Sequence, residues 1–172
     1  HERFGLPTVR RGRYFWTRND GLQNQAILHV SEGLDGPPRV LLDPNQLSSD
    51  GTKALASWVP SPDGRHLAFG ISDGGSDWNE WQVMVVDSGE ILPERIGRMK
   101  FSGVSWDSAG RGFFYSRYPA GEDGRGNDRL PVTIHYHALG TTQVDDPLIL
   151  DLRHATRNPY GIVTDDGRYL II

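Results

Sequence analysis

The sequence predicts an all-β chain of repeated four-stranded antiparallel sheets, and three observations carry that prediction. A Gly-Arg pair followed by an apolar run occurs four times, at Gly12-Arg13, Gly64-Arg65, Gly110-Arg111 and Gly167-Arg168, with the glycines 52, 46 and 57 positions apart. Each of the first three units then continues with two further short apolar runs. Finally, no stretch places apolar residues at i, i+3, i+4 and i+7 over a helical length, and 21 Gly with 11 Pro would interrupt one. A unit of about 50 residues that restarts with the same hairpin cannot bury its apolar faces alone, so its neighbours must stack against it. Four strands per unit at that period make the blade of a β-propeller. The chain is expected to be a partial β-propeller of about three blades plus the start of a fourth, occupying residues 1–172.

The strands follow in order. In the first unit, Tyr14-Phe15-Trp16 opens a run that is followed by candidates at residues 26–30 and 39–42. The second unit has Ala56-Ser57-Trp58-Val59, a Pro60-Ser61-Pro62-Asp63-Gly64 turn, a run at 66–71, and candidates at 81–86 and 94–96. Proline pre-sets φ early in such a turn and glycine supplies positive φ late in it, which makes Pro-Asp-Gly a hairpin signal. The third unit repeats this with Val104-Ser105-Trp106, Asp107-Ser108-Ala109-Gly110 and Phe113-Phe114-Tyr115, then runs at 132–137 and 148–150. The fourth has Gly161-Ile162-Val163-Thr164, Asp165-Asp166-Gly167 and a run at 169–172. Because the Gly-Arg arginine recurs in every unit, its guanidinium is expected to cover the turn or pair with a nearby carboxylate. Trp58 and Trp106 hold matching positions and are expected to pack between blades.

Composition narrows the function classes. A net charge of −4 with interspersed signs leaves no basic footprint for nucleic acid. No 18-residue apolar run offers a transmembrane helix. With no cysteine there are no disulfides or thiolate metal sites, and the compartment stays open. The chain begins at His1 and stops inside an apolar run at Ile171-Ile172. We expect it to be a segment of a larger propeller, because uncovered blade edges invite aggregation.

Three local patterns need weighing. Gly70-Ile71-Ser72-Asp73-Gly74 satisfies G-x-S-x-G, but a nucleophile elbow needs a strand, a strained turn at Ser and then a helix, and here a Gly-rich loop and more strand follow. His135 and His137 share one face of a strand, a spacing that two metal ligands can use, yet no third ligand stands nearby; satisfied strand histidines are expected. The loop from Gly121 to Asp128 lacks the ligand alternation of a calcium loop and reads as a solvated connection.

Between the repeats lie segments that the blade pattern does not require. They are His1-Glu2-Arg3-Phe4, residues 17–25, Leu41-Leu42-Asp43-Pro44-Asn45, Gly75-Ser76-Asp77-Trp78, Lys100-Phe101-Ser102 and His137-Ala138-Leu139-Gly140-Thr141. In this order and spacing they resemble the opening half of the seven-bladed propeller of the prolyl oligopeptidase family, serine peptidases that cleave short peptides after proline. The resemblance covers essentially the whole chain. It implies a propeller that admits peptides and excludes folded proteins, joined to an α/β-hydrolase domain carrying a Ser-Asp-His triad. That domain and every catalytic residue are expected outside these residues, and no cofactor or metal is implied. The expected partners are short proline-containing peptides and the hydrolase domain of the same parent chain, with no nucleic acid and no membrane. The resemblance also implies a cytoplasmic protein, or a periplasmic one if the parent carries a signal peptide.

Phe101 matches a phenylalanine that, in the resembled family, projects into the substrate chamber beyond the proline pocket; an aromatic there offers large contact area with few rotors to freeze. From the residues alone it reads instead as a core aromatic beside the hairpin that starts at Gly103, and the resemblance is what turns the reading toward the chamber. Asp77 and Trp78 are expected in a loop at the propeller edge, at the chamber or the domain interface, with Asp77 accepting loop amides or paired to a base such as Arg98 or Lys100. The competing class is a non-enzymatic propeller that binds a protein partner.

Overall fold

The computed structural model describes residues 1–151 and 159–172. Its first sheet joins β1 (Arg3–Phe4), β2 (Thr8–Arg10), β3 (Arg13–Asn19), β4 (Ile27–Glu32) and β5 (Arg39–Leu42). The second runs β6 (Lys53–Pro60), β7 (His66–Asp73), β8 (Trp78–Val85) and β9 (Ile96–Lys100); the third runs β10 (Val104–Trp106), β11 (Gly112–Arg117), β12 (Thr133–Ala138) and β13 (Leu148–Asp151). β14 (Ile162–Val163) and β15 (Leu170–Ile171) pair as the next hairpin. All pairings are antiparallel between sequence neighbours, except that β1 and β2 both pair with β3, β1 at its end and β2 at its start. The all-β class and the blade order follow the sequence expectation. The paired opening strands β1 and β2 do not, because a two-residue and a three-residue strand leave no period to read.

Alternation along each strand assigns side chains to two interfaces. Phe15, Leu28, Val30 and Leu42 of the first blade meet Leu67, Phe69, Met84 and Val86 in one core. The opposite face of the second blade presents Ala68, Trp81, Val83, Ile96 and Met99 to Val104, Trp106, Phe113 and Tyr115 of the third. Successive strand residues thus serve alternate neighbours, as a period of two requires. Trp106 is buried, and its indole N–H crosses to the Val59 carbonyl at 3.0 Å, bonding the two blades. Trp58 is half-buried against the first core. The opening strands of all four units converge on one cavity of about 540 Å³, lined among others by Arg10, Val59, Val104 and Ile162, which fixes the radial arrangement.

The repeated Gly-Arg step has a physical cause. Gly12, Gly64, Gly110 and Gly167 all sit at positive φ, from +66° to +83°, where a side chain costs roughly 1–2 kcal/mol. The turns also nest: a Cβ on Gly64 would lie 3.0 Å from the Arg10 carbonyl oxygen, and one on Gly167 would lie 2.3 Å from Ser108 Cβ. In the second unit the Asp63 carboxylate accepts from the Ser61 hydroxyl and the Arg65 N–H, and Asp166 does the same with Thr164 and Arg168. The third unit has Ala109 at that place, and Asp107 takes over by accepting from Arg111 N–H. Burial alone would push the Asp63 carboxyl up, but the Ser61 hydroxyl, the Arg65 N–H and the Arg65 guanidinium together hold it below the usual carboxylate range. Three of the four arginines pair with carboxylates, as expected. Arg13 does most, reaching Glu32 at 2.8 Å, Asp87 at 2.6 Å and the Gly64 carbonyl at 3.0 Å, and so ties blade one to blade two.

Two expectations are corrected. Trp78 is the first residue of β8 rather than part of a loop, because the Gly74-Gly75 turn, at φ +58° and +73°, reverses the chain within a few residues. The outer strand of the second blade is Ile96–Lys100, not residues 94–96. Glu94 is buried outside it, its carboxylate accepting from Gly140 N–H at 2.6 Å. Among the described residues no helix is long and apolar enough to cross a membrane.

Candidate functional site

In an antiparallel meander the connections alternate between the two ends of the sheet. The β7–β8 turn, the β9–β10 link and the long β11–β12 connection therefore share one rim, opposite the Gly-Arg turns. This rim carries five of the six segments that do not repeat; the sixth, residues 137–141, leaves β12 at the Gly-Arg end, where the Leu139 N–H donates to the Arg111 carbonyl at 2.9 Å.

Phe101 stands where β9 turns into β10. It is 72% exposed, which excludes the core-aromatic reading, and its φ of +53° places a bulky side chain in the left-handed region. Arg98, three residues earlier, has φ +60°. Here β9 carries an extra residue relative to β8, since Asn79 pairs with Met99 while Trp81 pairs with Ile96. Such a bulge re-aims the strand end. The Arg98 carbonyl then accepts from Tyr118 N–H at 2.9 Å, and the Ser102 hydroxyl donates to the Ser116 carbonyl at 3.3 Å, fixing the link against the third blade.

Asp77 lies in the β7–β8 turn and reaches Lys100 Nζ at 3.8 Å, one of the bases expected for it. Trp78 is directly opposite Lys100 in the β8–β9 register. Its ring meets Tyr118 edge-on at 5.4 Å and lies so close to Gly126 that a Cβ there would sit 2.3 Å from the indole. Lys100 Nζ hydrogen-bonds Asp128 at 3.1 Å and stands over both the Trp78 and Phe101 rings, 5.5 and 5.1 Å from their centroids. The bond to Asp128 raises the lysine's pKa, so the ammonium stays charged. The Gly121–Asp128 loop is a small hairpin, with Ala120 bridging Gly126 and Asp123 accepting from Arg125 N–H.

Asp77 and Phe101 border a common cleft of about 460 Å³, whose other walls include Ser57, Ser72, Asn79 and Tyr160. Sequence reasoning missed Tyr160, and it weighed Ser72 only as a nucleophile. Ser72 sits within β7, paired across to Asn79, with no positive φ and no helix after it. Among the described residues no histidine hydrogen-bonds it. The cleft thus offers an aromatic face, small hydroxyls and one carboxylate: a surface for contact, with no nucleophile and base in register.

The two strand histidines lie elsewhere, in the third blade, where β12 and the 143–146 turn enclose a polar cluster. His137 is fully buried and its Nδ1 is 2.8 Å from Asp146 Oδ1, while Tyr115 donates to Asp146 Oδ2 at 2.6 Å. His135 contacts the Asp146 carbonyl through Nδ1 and the Thr133 hydroxyl through Nε2. Burial, and then the charge of Arg117, lower the His135 pKa; burial and the Asp146 bond raise that of Tyr115.

Comparison with known proteins agrees with this architecture. The family model for the prolyl oligopeptidase N-terminal beta-propeller domain matches residues 1–172. A prolyl endopeptidase of Elizabethkingia meningoseptica is 37% identical over 176 residues, covering 100% of this chain and 24% of that protein. Prolyl oligopeptidase A of Galerina marginata is 35% identical over 188 residues, covering 93% of this chain and 26% of that protein. Among solved structures, a prolyl endopeptidase studied for its inter-domain dynamics superposes with a TM-score of 0.92 at 32% identity, covering 98% of this chain and 25% of its own. Prolyl oligopeptidase B of Galerina marginata, bound to a 35mer hydrolysis and macrocyclization substrate, gives 0.87 at 30% identity, covering 99% of this chain and 27% of its own. The chain spans about a quarter of the length of these relatives. Blade topology, the shared rim and a match along every residue lead to one conclusion: the chain belongs to the family of prolyl oligopeptidase N-terminal β-propeller domains.

Proposed function

We propose that this chain is the propeller segment of a proline-specific serine oligopeptidase and contributes substrate access and contact rather than bond cleavage. The Ser-Asp-His triad then comes from an α/β-hydrolase domain supplied by sequence outside these residues, docked on the rim that carries Asp77, Trp78 and Phe101. Short proline-containing peptides are the substrates, and the working compartment is the cytoplasm, or the periplasm if the parent carries a signal peptide. The observation that carries the reading is Phe101, an exposed phenylalanine held at positive φ beside a cleft. A bulky side chain held at positive φ costs the fold something and, exposed, returns little to it, and backbone strain of this kind concentrates at ligand contacts. Asp77 and Trp78 have separate parts in it: Trp78 anchors the rim, and Asp77 borders the cleft. A non-enzymatic binding module is not favoured, because the relatives aligned along the whole chain are peptidases.

The test is kinetic. In the full-length parent enzyme, Phe101→Ala raises KM for an extended proline peptide and leaves turnover of a minimal proline substrate unchanged. Unaltered kcat/KM on the extended peptide refutes the role. The isolated 172-residue chain shows no turnover of a proline-containing fluorogenic peptide, and measurable turnover contradicts the assignment of catalysis to another domain.

A further inference from the structure

Lys100 is more constrained than a rim lysine needs to be. A lysine on a strand end ordinarily leaves its ammonium in water and keeps its rotamer freedom. Here the side chain is only 17% exposed, and its ammonium contacts three separate connections at once. From the β7–β8 turn comes the Asp77 carboxylate, with Trp78 beside it; from the β9–β10 link comes the Phe101 ring; from the β11–β12 loop comes Asp128. The contacts are mutually consistent, since Lys100 faces Trp78 in register and immediately precedes Phe101. The ammonium also keeps two carboxylates, Asp77 and Asp128, on one rim without mutual repulsion. A cation over an aromatic face favours particular ring orientations, and Phe101, at φ +53° and largely in solvent, has few packing contacts of its own to fix it.

We propose that Lys100 is a positioning residue for peptide binding: its ammonium, anchored on Asp128, holds the Phe101 ring in its orientation at the cleft and couples that ring to the 119–132 loop. The inference rests on the reading of Phe101 as a substrate contact. Lys100 itself touches no substrate and acts through the phenylalanine.

A double-mutant cycle in the full-length parent enzyme separates the two claims. Lys100→Met removes the charge and keeps the stem. The expected result is a KM for an extended proline peptide that rises by roughly three- to tenfold, with kcat and the minimal substrate unaffected. Lys100→Arg, which keeps a cation able to sit over both rings, should return KM to within about twofold. In the Phe101→Ala background, Lys100→Met should add nothing. A wild-type KM for Lys100→Met alongside a raised KM for Phe101→Ala overturns the inference and leaves the role of Phe101 standing. So does an equal effect of Lys100→Met in both backgrounds, which marks a purely structural lysine. A wild-type Phe101→Ala overturns the underlying reading, and the inference falls with it. If Lys100→Met does not fold, Asp128→Asn, which weakens the shortest contact to the ammonium, must show the same Phe101-dependent rise, and its absence overturns the proposal.

Discussion

Replacing Phe101 by glycine should leave folding nearly untouched, although it deletes an entire aromatic ring. Phe101 is 72% exposed, so little more than a quarter of its side chain is covered. For a ring that buries 150–250 Å² when enclosed, that is about 50 Å², or about 1 kcal/mol of lost burial. Glycine adds roughly 0.5–1 kcal/mol of backbone entropy to the unfolded chain. Against these stands relief of the left-handed backbone at φ +53°, about 1–2 kcal/mol. The contributions cancel to within about 1 kcal/mol, and the lost Lys100 contact tips the balance slightly toward destabilisation. Phe113 is the matched control. It is fully buried and rings pack around it, Trp106 at 5.2 Å, His137 at 5.4 Å and Tyr115 at 6.2 Å. Phe113→Ala should cost about 3–5 kcal/mol. Urea unfolding of both variants in the full-length parent protein, followed by tryptophan fluorescence, makes the comparison under one set of conditions. If Phe101→Gly loses as much as Phe113→Ala, Phe101 is a structural residue and the functional argument built on its exposure and strain fails.

Other outcomes follow from the blade contacts. Gly64→Ala forces a side chain to φ +71° and 3.0 Å from the Arg10 carbonyl; about 1–3 kcal/mol should be lost in the same unfolding assay. Arg13→Met removes both carboxylate pairs and the bond to the Gly64 carbonyl between blades one and two, and about 1–2 kcal/mol of stability should go with it. A wild-type midpoint would show that the clamp is idle. For pH, His135 has a folded pKa lowered from 6.5, first by burial and then by Arg117, so the unfolded chain binds the proton more readily. Its contribution is complete above 6.5 and is lost as pH falls from there through the folded value. His135→Gln should flatten that acid limb in unfolding midpoints, and an unchanged limb assigns it to other groups. Asp63 acts lower on the scale: its depressed pKa gives stability present above the usual carboxylate range and lost as pH falls through its folded value.

The blades were legible because their turns obey a local rule. Positive φ at Gly12, Gly64, Gly110 and Gly167 is a property of single residues, and it leaves a mark that a reader can find without the third dimension. The end of β9 left no such mark. Arg98 and Phe101 take left-handed backbone that their side chains disfavour, so propensity ended the strand at 96 while the bulge carried it to Lys100. Trp78 was misplaced for a related reason, since two adjacent glycines suggest a longer loop than the tight reversal they form. Within the rim, Phe101 could be named only through the family resemblance, Asp77 stood out in its loop, and Lys100 was one of the partners open to it. The rest depended on register and long-range closure. Nothing local sets Lys100 opposite Trp78, brings Asp128 back across 28 residues, or puts Tyr160 on the wall of the same cleft. The histidine pair shows the converse. Strand period correctly put His135 and His137 on one face, but Asp146, which both contact, enters from a turn that the period does not describe.

The central claim is that the rim carrying Phe101 meets the substrate while the repeating turns at the other end build the ring. Photo-crosslinking tests it most directly, with a benzoylphenylalanine replacing Phe101 in the full-length parent enzyme and, as control, replacing the equally exposed Leu34 on the opposite rim. With a non-hydrolysable proline peptide bound, position 101 should label the peptide and position 34 should not. Equal labelling at both positions, or none at 101 while the peptide is bound, would contradict the account.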